Sequence, residues 1–207
     1  MKLYNSVGPN PQVVRMFAAE RGIDLEKDMQ LDTVDIMAGE NRQPAYLAKN
    51  PGGQSPCIET DDGQHIAEIT AICEYLDEKF PGQSLMGNTA EERAANRMWT
   101  RRVDLNVCEP LANGFRYSEG KPMFESRMTL IPEAADGLKG LAQEKISWLD
   151  SLMEGREFVG GDKLGLADVL LYCFLTFGET VGQPINTANK NIVAWLERMK
   201  ARPSAQA

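Results

Sequence analysis

Three short stretches hold the residues whose types and spacing can do chemistry. In "NSVGPNPQVVR", residues 5–15, Ser6 precedes an Asn10–Pro11 pair that reads as a helix start. Asparagine is favoured as an N-cap and proline at the first helical position, and the N-terminus of a helix attracts anions. Asn10 is therefore either a simple cap or a cap whose NH2 also faces a bound anion. In "NPGGQSPCIE", residues 50–59, Pro56 stands at the front of a strand-like run that begins with Cys57. A proline there removes a ladder N–H, so it belongs on an edge, at a first residue or in a special peptide geometry. Third, Glu68 immediately precedes Ile69, Ile72, Cys73, Leu76 and Phe80, an apolar helical stripe. A carboxylate at a helix start is favoured by about 0.3–1 kcal/mol through the dipole alone.

The rest of the composition narrows what such sites can serve. A chain of 207 residues can bury a proper core, and its 43% hydrophobic and 25% charged residues are ordinary for a globular protein. The net charge of −8 argues against nucleic acid and against anionic membrane surfaces. The most apolar window, "LADVLLYCFLTF" at 166–177, carries Asp168 and falls short of the roughly 20 residues a membrane span needs. The start, "MKLYNSVGPN", has no apolar core of a secretory signal. Four cysteines at 57, 73, 108 and 173 show neither C-x-x-C nor metal-like spacing, which reads as reduced, buried thiols of a cytoplasmic protein without a metal site. His65, the single histidine, sits beside a turn and reads as structural.

The elements that must position these residues come in two styles. Up to about Phe80 the segments are short and mixed: strands in "KLYNS" and "KDMQLDTV", a helix in "QVVRMFAAERG" closed by Gly22, and a hairpin of "PCIET" and "QHIAE" about Asp62-Gly63. The order is β-α-β, a connecting stretch, then β-β-α. "PGQSLMGN", residues 81–88, reads as a linker. Beyond it the periodicity is helical: Thr89 and Glu92 form a capping box, a long run spans about 132–153, and shorter helices are expected near 166–180 and 189–201. The expected organisation is an α/β domain over 1–80, a linker over 81–88 and an all-α domain over 89–207.

The stretch "VDIMAGENRQPAYLAKNPGGQSPCIETDDGQHIAEITAICEYLDEKFP" resembles the central part of cytosolic glutathione transferases, and "FVGGDKLGLADVLLY" resembles the family's second motif, a glycine-aspartate followed by alanine-aspartate opening a core helix. The resemblance, to the bacterial type, covers nearly the whole chain. It implies a thioredoxin-like N-terminal domain followed by an all-helical one, and a transferase joining the glutathione thiolate to a small electrophile. A glutathione-dependent disulfide reductase or peroxidase, or a non-catalytic glutathione-binding module, is the alternative.

The same resemblance implies roles for single residues. Pro56 is expected to be cis, with Ser55 pairing its backbone N–H and C=O to the cysteinyl part of glutathione. Glu68 is expected to meet the γ-glutamyl amino group, and Ile69, where relatives often have serine, offers only its N–H to the γ-glutamyl carboxylate. Arg42, with Gln54 beside the proline, is the candidate for the glycyl carboxylate; Arg42 as a plain surface arginine remains open. No cysteine stands at position 10, so Asn10, with Ser6 as the hydroxyl alternative, is expected to face the glutathione sulfur. Gly165 and Asp168 are expected to cap a core helix, and Trp99 and Asn106 read either as core or as an acceptor-pocket wall. Glutathione is then the co-substrate, a homodimer the expected assembly, and neither nucleic acid nor membrane a partner.

Overall fold

The computed structural model describes residues 1–207, which fall into two compact units: residues 1–86 with 203–207, and residues 87–202. In the first, strand β1 (Lys2–Asn5) leads to helix α1 (Pro9–Glu20), a short helix α2 (Leu25–Asp28) and strand β2 (Gln30–Thr33). A 3₁₀ turn at Glu40–Arg42 and helix α3 (Pro44–Leu47) follow, then strands β3 (Cys57–Glu59) and β4 (His65–Ile66) and helix α4 (Ile69–Lys79). The sheet order is β2-β1-β3-β4, with β1 parallel to β2 and antiparallel to β3. This is the expected β-α-β then β-β-α thioredoxin-like arrangement. The expected order missed α2 and α3, single-turn helices too short to show a period, and Lys27 and Asp28, expected to open the second strand, belong to α2.

Strand alternation divides the side chains of β1 between two faces. Leu3 points to the α1 and α4 side, where it shares a fully buried core with Val13, Met16, Phe17, Ile58, Ile72 and Leu76. Tyr4 points to the other face, against Val34, Tyr46 and Cys57. At the ends of α1 and α4, Arg21 and Asp77 form a buried ion pair at 2.7 Å. The remaining capacity of that pair is taken up by the following chain. Arg21 donates to the carbonyls of Phe80 and Gln83, and Asp77 accepts from Ser84 and the Leu85 N–H. The final 3₁₀ turn, Pro203–Gln206, packs on α1, with Ser204 donating to Glu20.

The second unit is all-helical, as expected: α5 (Ala90–Val103), α6 (Glu109–Arg116), α7 (Lys121–Phe124), α8 (Ala135–Leu152), α9 (Leu166–Thr180) and α10 (Lys190–Lys200). Thr89 caps α5 by accepting from the Glu92 N–H at 3.1 Å. Glu92 in turn accepts from the Asn88 N–H at 2.8 Å. The chain does not stop at Pro110 but passes through a π turn at Asp104–Cys108 and places that proline in the first turn of α6, where its missing N–H is tolerated. No helix is long and apolar enough to cross a membrane.

Asp168 is the polar centre of this unit. Fully buried, it accepts from the Val159 N–H (2.8 Å), the Gly165 N–H (3.0 Å) and the Trp195 indole N–H (2.9 Å), which joins the start of α9 to the preceding loop and to α10. Burial pushes its carboxyl up to about 6, against these three donated bonds. Asp168→Ala strands three buried donors, so it is expected to lower the unfolding free energy by about 3–5 kcal/mol. Urea unfolding followed by circular dichroism reads this directly, and a loss below about 1 kcal/mol would show that the hub is not structural.

Candidate functional site

Three chain segments that are distant in sequence meet at one end of the sheet. The β1–β3 ladder pairs Tyr4 with Cys57, so carrying that register past its end sets Ser6 opposite Ser55. The β3–β4 ladder pairs Ile58 with Ile66, and the same continuation sets Glu68 beside Pro56. The β1–α1 turn, the Ser55–Pro56 peptide and the start of α4 are thereby brought together by two short pairings.

The Ser55–Pro56 peptide is cis, as the resemblance implied. The Ser55 hydroxyl reaches the Tyr4 carbonyl at 3.4 Å, while its backbone N–H and C=O take no hydrogen bond within the chain. The loop before it is pinned from outside: Tyr46 and Asn50 both donate to the Gln54 carbonyl at 2.7 Å, and Asn41 donates to the Gly53 carbonyl at 2.6 Å. Gly53 has φ +59°, and a Cβ there would meet Arg42 Nη1 at 2.9 Å and the Asn41 carbonyl at 3.1 Å. These pins, Asn41, Tyr46 and Asn50, were not singled out from the sequence. Their only signal was their place inside the family-like stretch.

Glu68 has φ 68° and ψ 118° and is the one non-glycine residue with positive φ. Such a conformation costs on the order of 1–3 kcal/mol and persists where surrounding structure or function demands it. The residue is exposed and precedes α4, its carboxylate makes no cap hydrogen bond, and the Ile69 N–H behind it is one of the unpaired donors of the helix start.

At α1 the structure corrects one expectation. Asn10 is not the N-cap: Pro9 begins the helix, Gly8 takes the cap position with φ 108°, and Asn10 is the second helical residue with no cap hydrogen bond. The reason is steric, since the sharp turn needs positive φ and glycine alone adopts it without strain. Pro9 and Pro11 lack N–H groups, so Asn10 supplies the free backbone donor of this first turn, and its side chain makes no bond within the chain. Ser6 is 7% exposed, and its hydroxyl is engaged with the Val7 carbonyl at 3.3 Å.

Other groups point elsewhere. The Tyr4 hydroxyl donates to Glu59 at 2.5 Å, at the opposite end of β3 from Ser55; burial, then this bond, raises its pKa. All four cysteines are buried and none is in a disulfide; burial holds Cys57 up at about 11 and raises Cys108 well above an ordinary thiol. Arg42 is half-buried, with Nη1 3.5 Å from the Gly52 carbonyl and a buried Nε that has no partner; Gln54 is exposed. In the second unit Trp99 is buried and faced by Arg102 and Arg156, at 4.7 and 5.0 Å from its ring, and Asn106 donates to the Arg102 carbonyl. No group of three or more histidine, cysteine or acidic residues is placed to hold a metal ion.

Comparison with known proteins settles the family. Over its whole length the chain is 30% identical to glutathione S-transferase 2 of Saccharomyces cerevisiae, covering 88% of that protein. This chain belongs to the glutathione S-transferase family. Residues 7–79 match the family's N-terminal domain and residues 131–203 its C-terminal domain. A crystal structure of a glutathione S-transferase domain-containing protein from Marinobacter aquaeolei superposes with a TM-score of 0.92 at 35% identity, covering 99% of both chains. That of Gtt2 from S. cerevisiae gives the same score at 29% identity, covering 100% of this chain and 99% of its own. The fold is therefore that of the glutathione transferases, and members of this family use glutathione as their co-substrate.

Proposed function

We propose that this glutathione transferase conjugates the glutathione thiolate to a small electrophile at the sheet end described above. The observation that carries this reading is the unpaired Ser55 backbone, set by the β1–β3 register opposite the turn that opens α1. A peptide with its own N–H and C=O adds to such an edge as a short strand. With the cysteinyl residue of glutathione there, the exposed Glu68 carboxylate takes the γ-glutamyl amino group and the Ile69 N–H takes its carboxylate at the helix start. Arg42, with Gln54, serves the glycyl carboxylate. A group with a buried, unpartnered Nε gains from an acceptor.

The chemistry then falls to the first turn of α1. A free thiol titrates near 8.5, so useful attack at neutral pH needs the thiolate stabilised. The unpaired donors around Asn10 and the dipole of α1 supply that stabilisation. Asn10 suits the task better than Ser6, whose hydroxyl is already engaged. Because every cysteine of the chain is buried, the reacting sulfur comes from the co-substrate. The thiolate attacks the electrophile, the leaving group departs with the bonding pair, and the thiol proton passes to solvent. The domain limits of 1–80 and 89–207 about an 81–88 linker, with residues 203–207 returning to the first unit, a cytoplasmic setting for reduced cysteines, and a homodimer complete the proposal. Sedimentation velocity at micromolar concentration tests the dimer, and a monomer there overturns it.

The activity itself is tested by comparing conjugation of a chlorinated aromatic with reduction of 2-hydroxyethyl disulfide. Conjugation is expected to dominate, and the reverse would make this a disulfide reductase. Glu68→Ala is expected to raise the glutathione dissociation constant by about 1–3 kcal/mol, as for loss of a charged hydrogen bond. Calorimetric binding as tight as wild type would leave Glu68 a helix-start charge only. Asn10→Ala is expected to shift the ultraviolet titration of the bound thiolate, followed from about pH 5 to 9, upward and to slow conjugation by about 1–2 kcal/mol, with Ser6→Ala doing less. A shift in Ser6→Ala alone would give the role to the serine.

A further inference from the structure

Arg15, in the second turn of α1, is used by none of the roles above. Its Nη1 donates both to Asn5 Oδ1, at 3.0 Å, and to the Ser6 carbonyl, at 3.2 Å. Asn5 ends β1 and Ser6 opens the turn into α1, so one guanidinium nitrogen ties both ends of the turn's entry to the helix that the turn leads into. The strand pleat makes this reach possible: Asn5 lies two residues beyond Leu3, on the same α1-facing side of the sheet.

The tie has a directional consequence. The Ser6–Val7 peptide is trans, since Ser55–Pro56 is the only cis bond, and in a planar trans peptide the C=O and N–H point in opposite directions. With the Ser6 carbonyl held toward Arg15, the Val7 N–H must point away from Arg15. That N–H has no hydrogen-bond partner in the chain, and Val7 is 68% exposed. The Val7 carbonyl is meanwhile occupied by the Ser6 hydroxyl. The turn therefore presents an aimed, unpaired backbone donor, one step from the point where the register places Ser6 opposite Ser55.

We propose that Arg15 is a positioning residue that fixes the Ser6–Val7 peptide so that the Val7 N–H donates to the glutathione thiolate alongside Asn10. This rests on the placement of glutathione at Ser55 proposed above. Arg15 itself does not touch the sulfur. A backbone donor cannot be removed by substituting Val7, so the position must be probed through its anchor.

The test is the ultraviolet titration of bound glutathione together with the separate values of kcat and KM for a chlorinated aromatic. Arg15→Ala is expected to raise the apparent pKa of the bound thiol and to lower kcat near pH 7 about tenfold, one pKa unit, with little change in the KM for glutathione. Arg15→Lys, which keeps a donor in reach of both oxygens, is expected to recover most of the loss. Asn5→Ala leaves the guanidinium charge in place but removes the side-chain oxygen that helps to hold it at the turn, and is expected to give an intermediate shift. Melting temperatures are measured beside each, and if Arg15→Ala fails to fold, Asn5→Ala carries the test. An unshifted titration in Asn5→Ala with a shifted one in Arg15→Ala would mean that the charge alone acts, and the positioning role falls. A normal titration in Arg15→Ala overturns it outright. A wild-type protein that shows no bound thiolate at all would instead overturn the placement of glutathione, and this inference with it.

Discussion

Antiparallel contact between residues 2–4 and 57–59 sets the geometry on which the candidate site depends. A side chain on a strand has only two faces to choose from, and a register slip of one residue exchanges them. Here the choice sends Leu3 into the helix-side core and Tyr4 into the opposite cluster, and it is pinned on both sides by full burial. With the register fixed, Ser55 has to arrive beside the turn that follows β1. The loop from Asn41 to Gln54 then needs only to keep that peptide's outer edge clear, which it does by satisfying its own carbonyls with Asn41, Tyr46 and Asn50. Arg15 of α1 bonds to both Asn5 and the Ser6 carbonyl and so ties the strand end and the turn to the helix.

The two units solve the same problem of burying polar groups in different ways. In the first, Arg21 and Asp77 face each other almost without solvent, and each is further bonded by backbone or hydroxyl groups of residues 80–85. A buried pair of this kind contributes little net stability against an apolar replacement, but losing one partner leaves an uncompensated charge. Its effect is to specify where the chain goes after α4. In the second unit Asp168 has no cation and relies on three N–H donors instead. That arrangement fixes three segments at once around the start of the most apolar helix.

How much of this was legible in the sequence follows the range of the interactions. The apolar stripe of α4, the limits of α9 and the Asp-Gly hairpin are local patterns, and each is legible in the sequence. The cis peptide at Pro56 came from family resemblance, since nothing in a proline beside a serine distinguishes the two isomers. Asn10 shows the limit of local reading. Two prolines compete for the first helical position, and Asn-Pro scores well as a cap, yet Gly8 can make a turn that asparagine cannot make cheaply. The positive φ of Glu68, the Arg15 tether and the π turn before Pro110 are set by tertiary neighbours, and no spacing of residue types announces them.

The packing of Pro203–Gln206 on α1 means that the first unit is closed by residues from the far end of the chain. On a ribosome that emits about 5–20 residues per second, residues 1–86 emerge many seconds before the segment that covers them. During that interval the side of α1 on which Pro203–Gln206 packs is uncovered. Completion of the first unit is thus timed by the synthesis of helices that contribute nothing to its strands.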